Sequence, residues 1–226
     1  MASTSDFETT LRSPVDDDVL QGVYASDQEM YPAPLTFTRL KSWVDACPDL
    51  SICFRRSGAT PPVGVVIALP IRQPYWDDLL HGTLKETDID PDVAFPNREL
   101  LSQEEVEDVG LHVFHIERFA ESAKPVSGTK RKGFAEFSVE EIIHRASLRK
   151  KWKVVGLSAL TATPAGKKTF QRLGFAPTGY SETFLAEETN GVSAKDKVRM
   201  VCTFPGDNPS DLSDTSAQSE MLVKYL

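Results

Sequence analysis

Within LHVFHIERF, residues 111–119, three side chains able to exchange protons fall inside six positions: His112, His115 and Glu117. A free imidazole titrates near pH 6.5 (~6.5), so either histidine suits proton removal near neutrality. The run reads as a strand. Alternation then sends His112 and His115, three apart, to opposite faces, so that at most one looks into a given cleft. Glu117 shares the face of His115 and can act through a bridging water. A hydrogen-bonded place within the sheet is the competing assignment for each histidine.

A second stretch is built for an anion. Lys130-Arg131-Lys132-Gly133-Phe134-Ala135 puts a glycine, which lets backbone N–H groups approach a phosphate closely, beside three cations at the start of an amphipathic helix. Ser138-Val139-Glu140-Glu141 forms a capping box that would begin the same helix later and leave the phosphate cradle as loop. A third stretch, Thr161 to Thr169, sounds like a nucleotide phosphate-binding loop but misses it twice. Thr161 stands at the leading glycine, and Lys168 stands where a magnesium-binding hydroxyl belongs.

The elements that must hold these residues follow from periodicity. Helices are expected from Asp18 to Met30 and, capped by Thr36 or Thr38, through Phe37, Leu40, Trp43 and Val44. Ile52–Arg56 and Val63–Ile71 read as a hairpin across the turn-rich SGATPP. Residues 72–108 are irregular, with a short helix around Trp76 to Lys85. On this excursion Trp76, Asp77 and Glu86 are candidates to contact a cationic or aromatic substrate, with a solvated loop as the alternative. After the histidine strand, the stretch from Ala135 carries apolar residues at helical spacing through Ala146. Val154–Ala162 is a strand apolar on both faces, and Thr163 caps a short helix with Pro164 first and Gly174 at its exit. Two strands, Thr178–Ala186 and Lys197–Phe204, precede a polar tail from Pro205.

The 226 residues carry a formal charge of -8. Residues 1–18 and 205–226 hold nine acids against two bases, so nearly all of the excess lies at the ends. Residues 124–172 hold twelve Lys or Arg against three Glu, a local surplus where a polyanion could be held. Nucleic-acid binding through this segment is one alternative; no exposed aromatics interleave its charges, and an acidic chain is repelled by nucleic acid. No apolar run is long enough to span a bilayer and the N-terminus lacks a signal-peptide pattern, so a cytoplasmic protein without membrane contact is expected. Cys47, Cys53 and Cys202 lack metal-site spacing and are expected as reduced thiols.

This succession resembles the GNAT superfamily of acyl-CoA-dependent N-acetyltransferases over roughly residues 6–204. The resemblance rests on Lys130–Ala135, similar to that family's Q/R-x-x-G-x-G/A turn, and on LSALTATPAGKKTFQRLGFAPTGY, with its Leu173-Gly174-Phe175 exit. It implies an α/β fold with a mixed sheet of about six or seven strands, flanked by helices and splayed between the two central strands, over 1–204, with 205–226 as a polar C-terminal tail. It also implies acetyl-CoA as cosubstrate with no metal, and direct attack by an amine in a ternary complex. The acceptor is expected to be a small-molecule amine, or else a protein amine. CoA contacts are implied for Ile116, Arg118, Lys130, Arg131, Lys132, Gly133, Phe134, Ala135, Thr163 and Phe170, with main-chain N–H groups near 116–118 facing the oxyanion. His112 is favoured as base. Phe170 replaces the tyrosine that often protonates the departing thiolate, which leaves Tyr180 as a substitute acid or as a core residue. It also keeps open a domain that binds acyl-CoA without turnover.

Overall fold

A computed structural model describes residues 10–30, 34–56, 62–96, 105–119, 133–149, 151–186, 198–204 and 217–226. Its first helix, α1 (Asp17–Met30), opens where Asp16 accepts the Val19 N–H at 2.9 Å and where Asp17 and Asp18 meet the positive end of the helix dipole. Thr36 caps α2 (Phe37–Ala46) by accepting from Arg39 N. Between them these helices bury Leu20, Val23, Leu40, Trp43 and Val44 against the sheet.

Eight strands among the described residues make one mixed sheet: β1 (Leu11–Pro14), β2 (Ser51–Arg55), β3 (Pro62–Arg72), β4 (Glu107–Arg118), β5 (Trp152–Thr161), β6 (Ala176–Ala186), β7 (Val198–Thr203) and β8 (Ala217–Tyr225). Their order in space is β1-β2-β3-β4-β5-β8-β6-β7, with β4 and β5 parallel and all other pairs antiparallel. The sheet therefore has more strands than the six or seven expected. Both additions come from unpromising sequence: β1 is four residues at an edge, and β8 lies in the stretch read as polar tail. β8 runs between β5 and β6, with Ser219, Met221, Leu222 and Val223 all buried. Its apolar core is only three residues long, which is why periodicity passes over it.

The long excursion contains α3 (Gln73–Leu80), a short 3-10 helix (Glu86–Asp88) and α4 (Pro91–Ala94). The competition over where the next helix starts is decided by burial. α5 (Phe134–Ser147) begins at Gly133, before the capping-box serine, and Ser138 is fully buried. Starting early lets Phe134 and Phe137 pack on Phe54 at centroid distances of 5.4 and 5.5 Å. Burying each ring contributes about 1.5–3 kcal/mol, against about 1 kcal/mol for a cap. α6 (Pro164–Arg172) follows the expected punctuation, with Thr163 accepting from Gly166 N at 3.0 Å and Gly174 at φ 90° beyond its end.

Candidate active site

The site is organised by the point at which β4 and β5 part. Their parallel register runs from Glu107↔Trp152 to His112↔Ser158 and then stops. Beyond it β5 pairs only with β8, as far as Thr161↔Glu220, while β4 continues along β3 to Gly64↔Arg118. The open side of β4 thus faces a gap. Phe119 N donates to Val63 O on β3, so strand alternation turns the N–H groups of Ile116 and Arg118 toward the gap.

One face of this gap is a cleft of about 630 Å³ between the N-terminal turn of α5 and the helix α6. Ile116, Arg118, Gly133, Phe134 and Ala135 line it from one side. Thr163 and Phe170 line it from the other. These seven were singled out in the sequence, and the fold brings them together; Lys130, Arg131 and Lys132 lie outside the described residues. The residues present suit a phosphorylated, partly apolar ligand. No side chain caps α5, which leaves its first-turn amides at Ala135 and Glu136 directed at the cleft, and a Cβ built on Gly133 meets nothing within 4 Å. Arg118 and Arg172 stand on the rim, Glu136 is the one carboxylate of the lining, and Phe170 packs edge-on to Phe175 to give an apolar wall.

The opposite face of the sheet carries the proton-exchanging groups. Here the structure corrects the alternation argument. His115 pairs with Ile67 and Val113 pairs with Ala68, so Phe114 is an extra, bulged residue. The bulge resets the alternation and puts His112, opposite Leu69, on the same face as His115, opposite Ile67. His112 is fully buried: Nε2 lies 2.6 Å from Glu86 Oε1, and Nδ1 lies 2.9 Å from Ser158 Oγ. Ser158 also accepts from the Trp76 indole N–H at 2.8 Å. With Glu86 ionised, Nε2–H donates to it and Nδ1 accepts from the Ser158 hydroxyl, which satisfies every member of the chain. His115 Nε2 meets Glu117 Oε2 at 3.2 Å.

Burial pushes the Glu86 carboxyl above its usual range, and the nearby Glu182 adds to this, while the hydrogen bond and charge of His112 pull it back down. Asp27 on α1 is pushed up to about 7, by burial first and by the Glu86 charge second. Tyr180 is 1% exposed, donates to Glu182 Oε1 at 2.5 Å and accepts from Lys85 Nζ at 2.7 Å. Burial and the adjacent carboxylate hold its phenol well above the ordinary value.

Two expectations about the excursion change. Trp76 is 1% exposed and lies over the backbone of β4 and β5, where a Cβ on Gly110 or Gly156 would sit 2.1 or 2.6 Å from its ring. It belongs to the core and supports Ser158; it does not line an acceptor wall. Asp77 is half-buried on α3, where its backbone carbonyl accepts from His81 Nδ1–H at 2.7 Å. Glu86 joins the cluster as the hydrogen-bond partner of His112. Ser158 is the residue whose importance the sequence understated: nothing local marks a serine in VVGLSALTA, and only the cross-strand pairing reveals it. The Thr161–Thr169 segment forms a strand end and a capped helix, with no phosphate-cradling loop.

Among the described residues no group of three or more His, Cys, Asp or Glu could hold a metal ion, and no helix is long and apolar enough to cross a membrane. Cys47, Cys53 and Cys202 form no disulfide among the described residues, and the first two are buried.

No protein-family model matches the chain, and no curated protein sequence matches it. Solved structures do. Arabidopsis thaliana NAA60 in complex with a bisubstrate analogue superimposes over 96% of this chain and 99% of its own, with a TM-score of 0.51 and 12% sequence identity. The same protein in complex with acetyl-CoA gives the same coverages, a TM-score of 0.52 and 10% identity. These likenesses, at near-full coverage of both chains, show the architecture: the chain has the fold of the GNAT superfamily.

Proposed function

We propose that the chain is an N-acetyltransferase that moves an acetyl group from acetyl-CoA to an amine acceptor by direct attack. The observation that carries this is the meeting of two unlike surfaces where β4 and β5 part. A phosphate-suited, apolar-walled cleft lies on one side, and a buried His–Glu–Ser constellation lies on the other. In this reading Gly133, Phe134, Ala135, Thr163, Phe170 and the arginines at 118 and 172 hold CoA, with the pyrophosphate at the start of α5. The amides of Ile116 and Arg118 face the thioester oxygen as it becomes an oxyanion. The acceptor enters from the histidine face, and its nitrogen loses a proton to the cluster as it attacks the carbonyl carbon. NAA60 is in complex with acetyl-CoA and with a bisubstrate analogue in the structures this chain resembles, which supports the cosubstrate at the level of the fold.

A domain that binds acyl-CoA without turnover is the second reading. Phe170 supplies no hydroxyl to the departing thiolate, and the Tyr180 hydroxyl is already engaged by Glu182 and Lys85. One assay separates the two: release of free CoA from acetyl-CoA across a panel of alkylamines, arylalkylamines, Nα-blocked lysine and unblocked tetrapeptides. Amine-dependent release supports the enzyme. Tight acetyl-CoA binding with no release for any amine favours the binder.

A further inference from the structure

We infer that Glu86 is the group that takes the acceptor's proton, and that His112 is a positioning residue behind it. The inference rests on the acetyltransfer reading above and deepens it.

Access decides between the two residues. His112 has no exposed side-chain surface, and both of its ring nitrogens are occupied, one by Glu86 and one by Ser158. Glu86 keeps 10% of its side chain accessible. Its Oε1 pairs with His112, and its Oε2 has no partner among the described residues. An amine, or a water in contact with it, can therefore reach the carboxylate and cannot reach the imidazole. A base must come within hydrogen-bond distance of the proton it abstracts, and on that count Glu86 is better placed than either ring nitrogen of His112.

The segment that carries Glu86 is fixed as a reacting group needs to be. Just before it, Lys85 Nζ is held by Gly82 O and by Tyr180 OH, both at 2.7 Å. Gly82 sits at φ 74°, and a Cβ there would lie 2.2 Å from the Tyr180 ring. Just after it, Trp43 Nε1–H donates to Ile89 O at 2.9 Å and Ile89 N donates to Glu86 O. Behind it, the His112–Ser158–Trp76 chain is fully paired while Nε2 keeps its proton, so His112 holds the carboxylate without competing for the acceptor's proton.

The titratable groups facing Glu86 are His112 and His115 from β4, Glu182 from β6 and Asp27 from α1. Burial, with Glu182 adding to it, raises its affinity for a proton against the pull of His112 and His115, a direction that suits a base. In the proposed step the amine nitrogen bonds to the thioester carbon, its proton passes to Glu86 Oε2, the C–S bond of acetyl-CoA breaks on collapse, and the thiolate takes that proton from Glu86, directly or through a relaying water, and leaves as CoA-SH.

The test compares Glu86→Gln with His112→Gln, whose amide N–H can still donate to Glu86, in the amine-panel assay and in acetyl-CoA titrations. The expected result is a loss of at least about 100-fold in kcat for Glu86→Gln. His112→Gln should lose less than about 10-fold and keep the acid limb of its pH profile, with acetyl-CoA affinity unchanged in both. As a second variant, Glu86→Ala should regain turnover with added formate, a rescue that a purely structural role for Glu86 does not produce. Loss of the acid limb in His112→Gln, a loss below 10-fold in Glu86→Gln, or no formate rescue in a Glu86→Ala protein that binds acetyl-CoA normally overturns the inference alone. A native chain that releases no CoA with any amine overturns the acetyltransfer reading and the inference with it.

Discussion

The two sides of the gap between β4 and β5 were built by different means. The cleft side is made of local features: a glycine ahead of a helix, an apolar helix face, and a threonine cap followed by proline. The histidine side is made of contacts between residues far apart in the chain, such as His112 with Glu86, Ser158 with Trp76 and Lys85 with Tyr180. The first is a surface left open and the second a network closed by pairing. The comparison teaches that open surface tolerates change at single positions better than a buried polar network does.

The largest expected effect falls on the network. Glu86→Gln removes at least about 100-fold of kcat while leaving acetyl-CoA affinity alone, as stopped assays and titration read out side by side. If both fall together, the two sides are not separable. Next in size is Gly110→Ala, whose Cβ would enter the Trp76 ring. Overpacking of this kind costs about 1–3 kcal/mol, measured by urea unfolding.

Asp27 gives a pH-dependent effect of similar scale. Its folded pKa of about 7 lies above the ordinary aspartate value of 3.8, so the stability it contributes is fully present below pH 3.8 and is lost as pH rises toward 7. Asp27→Asn should therefore stabilise the chain at pH 8 by on the order of 2 kcal/mol, after discounting for its partial exposure, and hardly at all at pH 4. Equal stabilisation at both values would place the carboxylate in water. The smallest effect belongs to the cleft. Gly133→Val has room for its Cβ and should leave unfolding unchanged without ligand, yet weaken acetyl-CoA binding by about 10-fold, because its branches intrude where phosphate oxygens approach the α5 amides.

The same contrast explains what could be read from the sequence. All the described residues that the resemblance assigns to CoA line one cleft, and the motifs that carry it, Lys130–Ala135 and the run ending in Leu173-Gly174-Phe175, are each local in sequence. The relation between His112 and His115 was read incorrectly, since a single bulged residue, Phe114, inverts a parity argument and carries no mark of its own in LHVFHIERF. Trp76 reads as a candidate acceptor contact in the sequence, because the glycines that admit its ring into the core, Gly110 and Gly156, come from two other strands. β8 escapes the sequence because β5 and β6 fix it by pairing both of its backbone edges, a long-range feature, while its own apolar run is only Met221, Leu222 and Val223.

Acyl-CoA in the cleft between α5 and α6 is the premise of every step proposed for this site. Calorimetric titration of the whole chain with acetyl-CoA, alongside Gly133→Val, tests this directly. The account predicts one-to-one binding by the native chain, weakened about 10-fold by the valine and not reproduced by ATP. Absence of binding, or equal binding by the native chain and the variant, would contradict it.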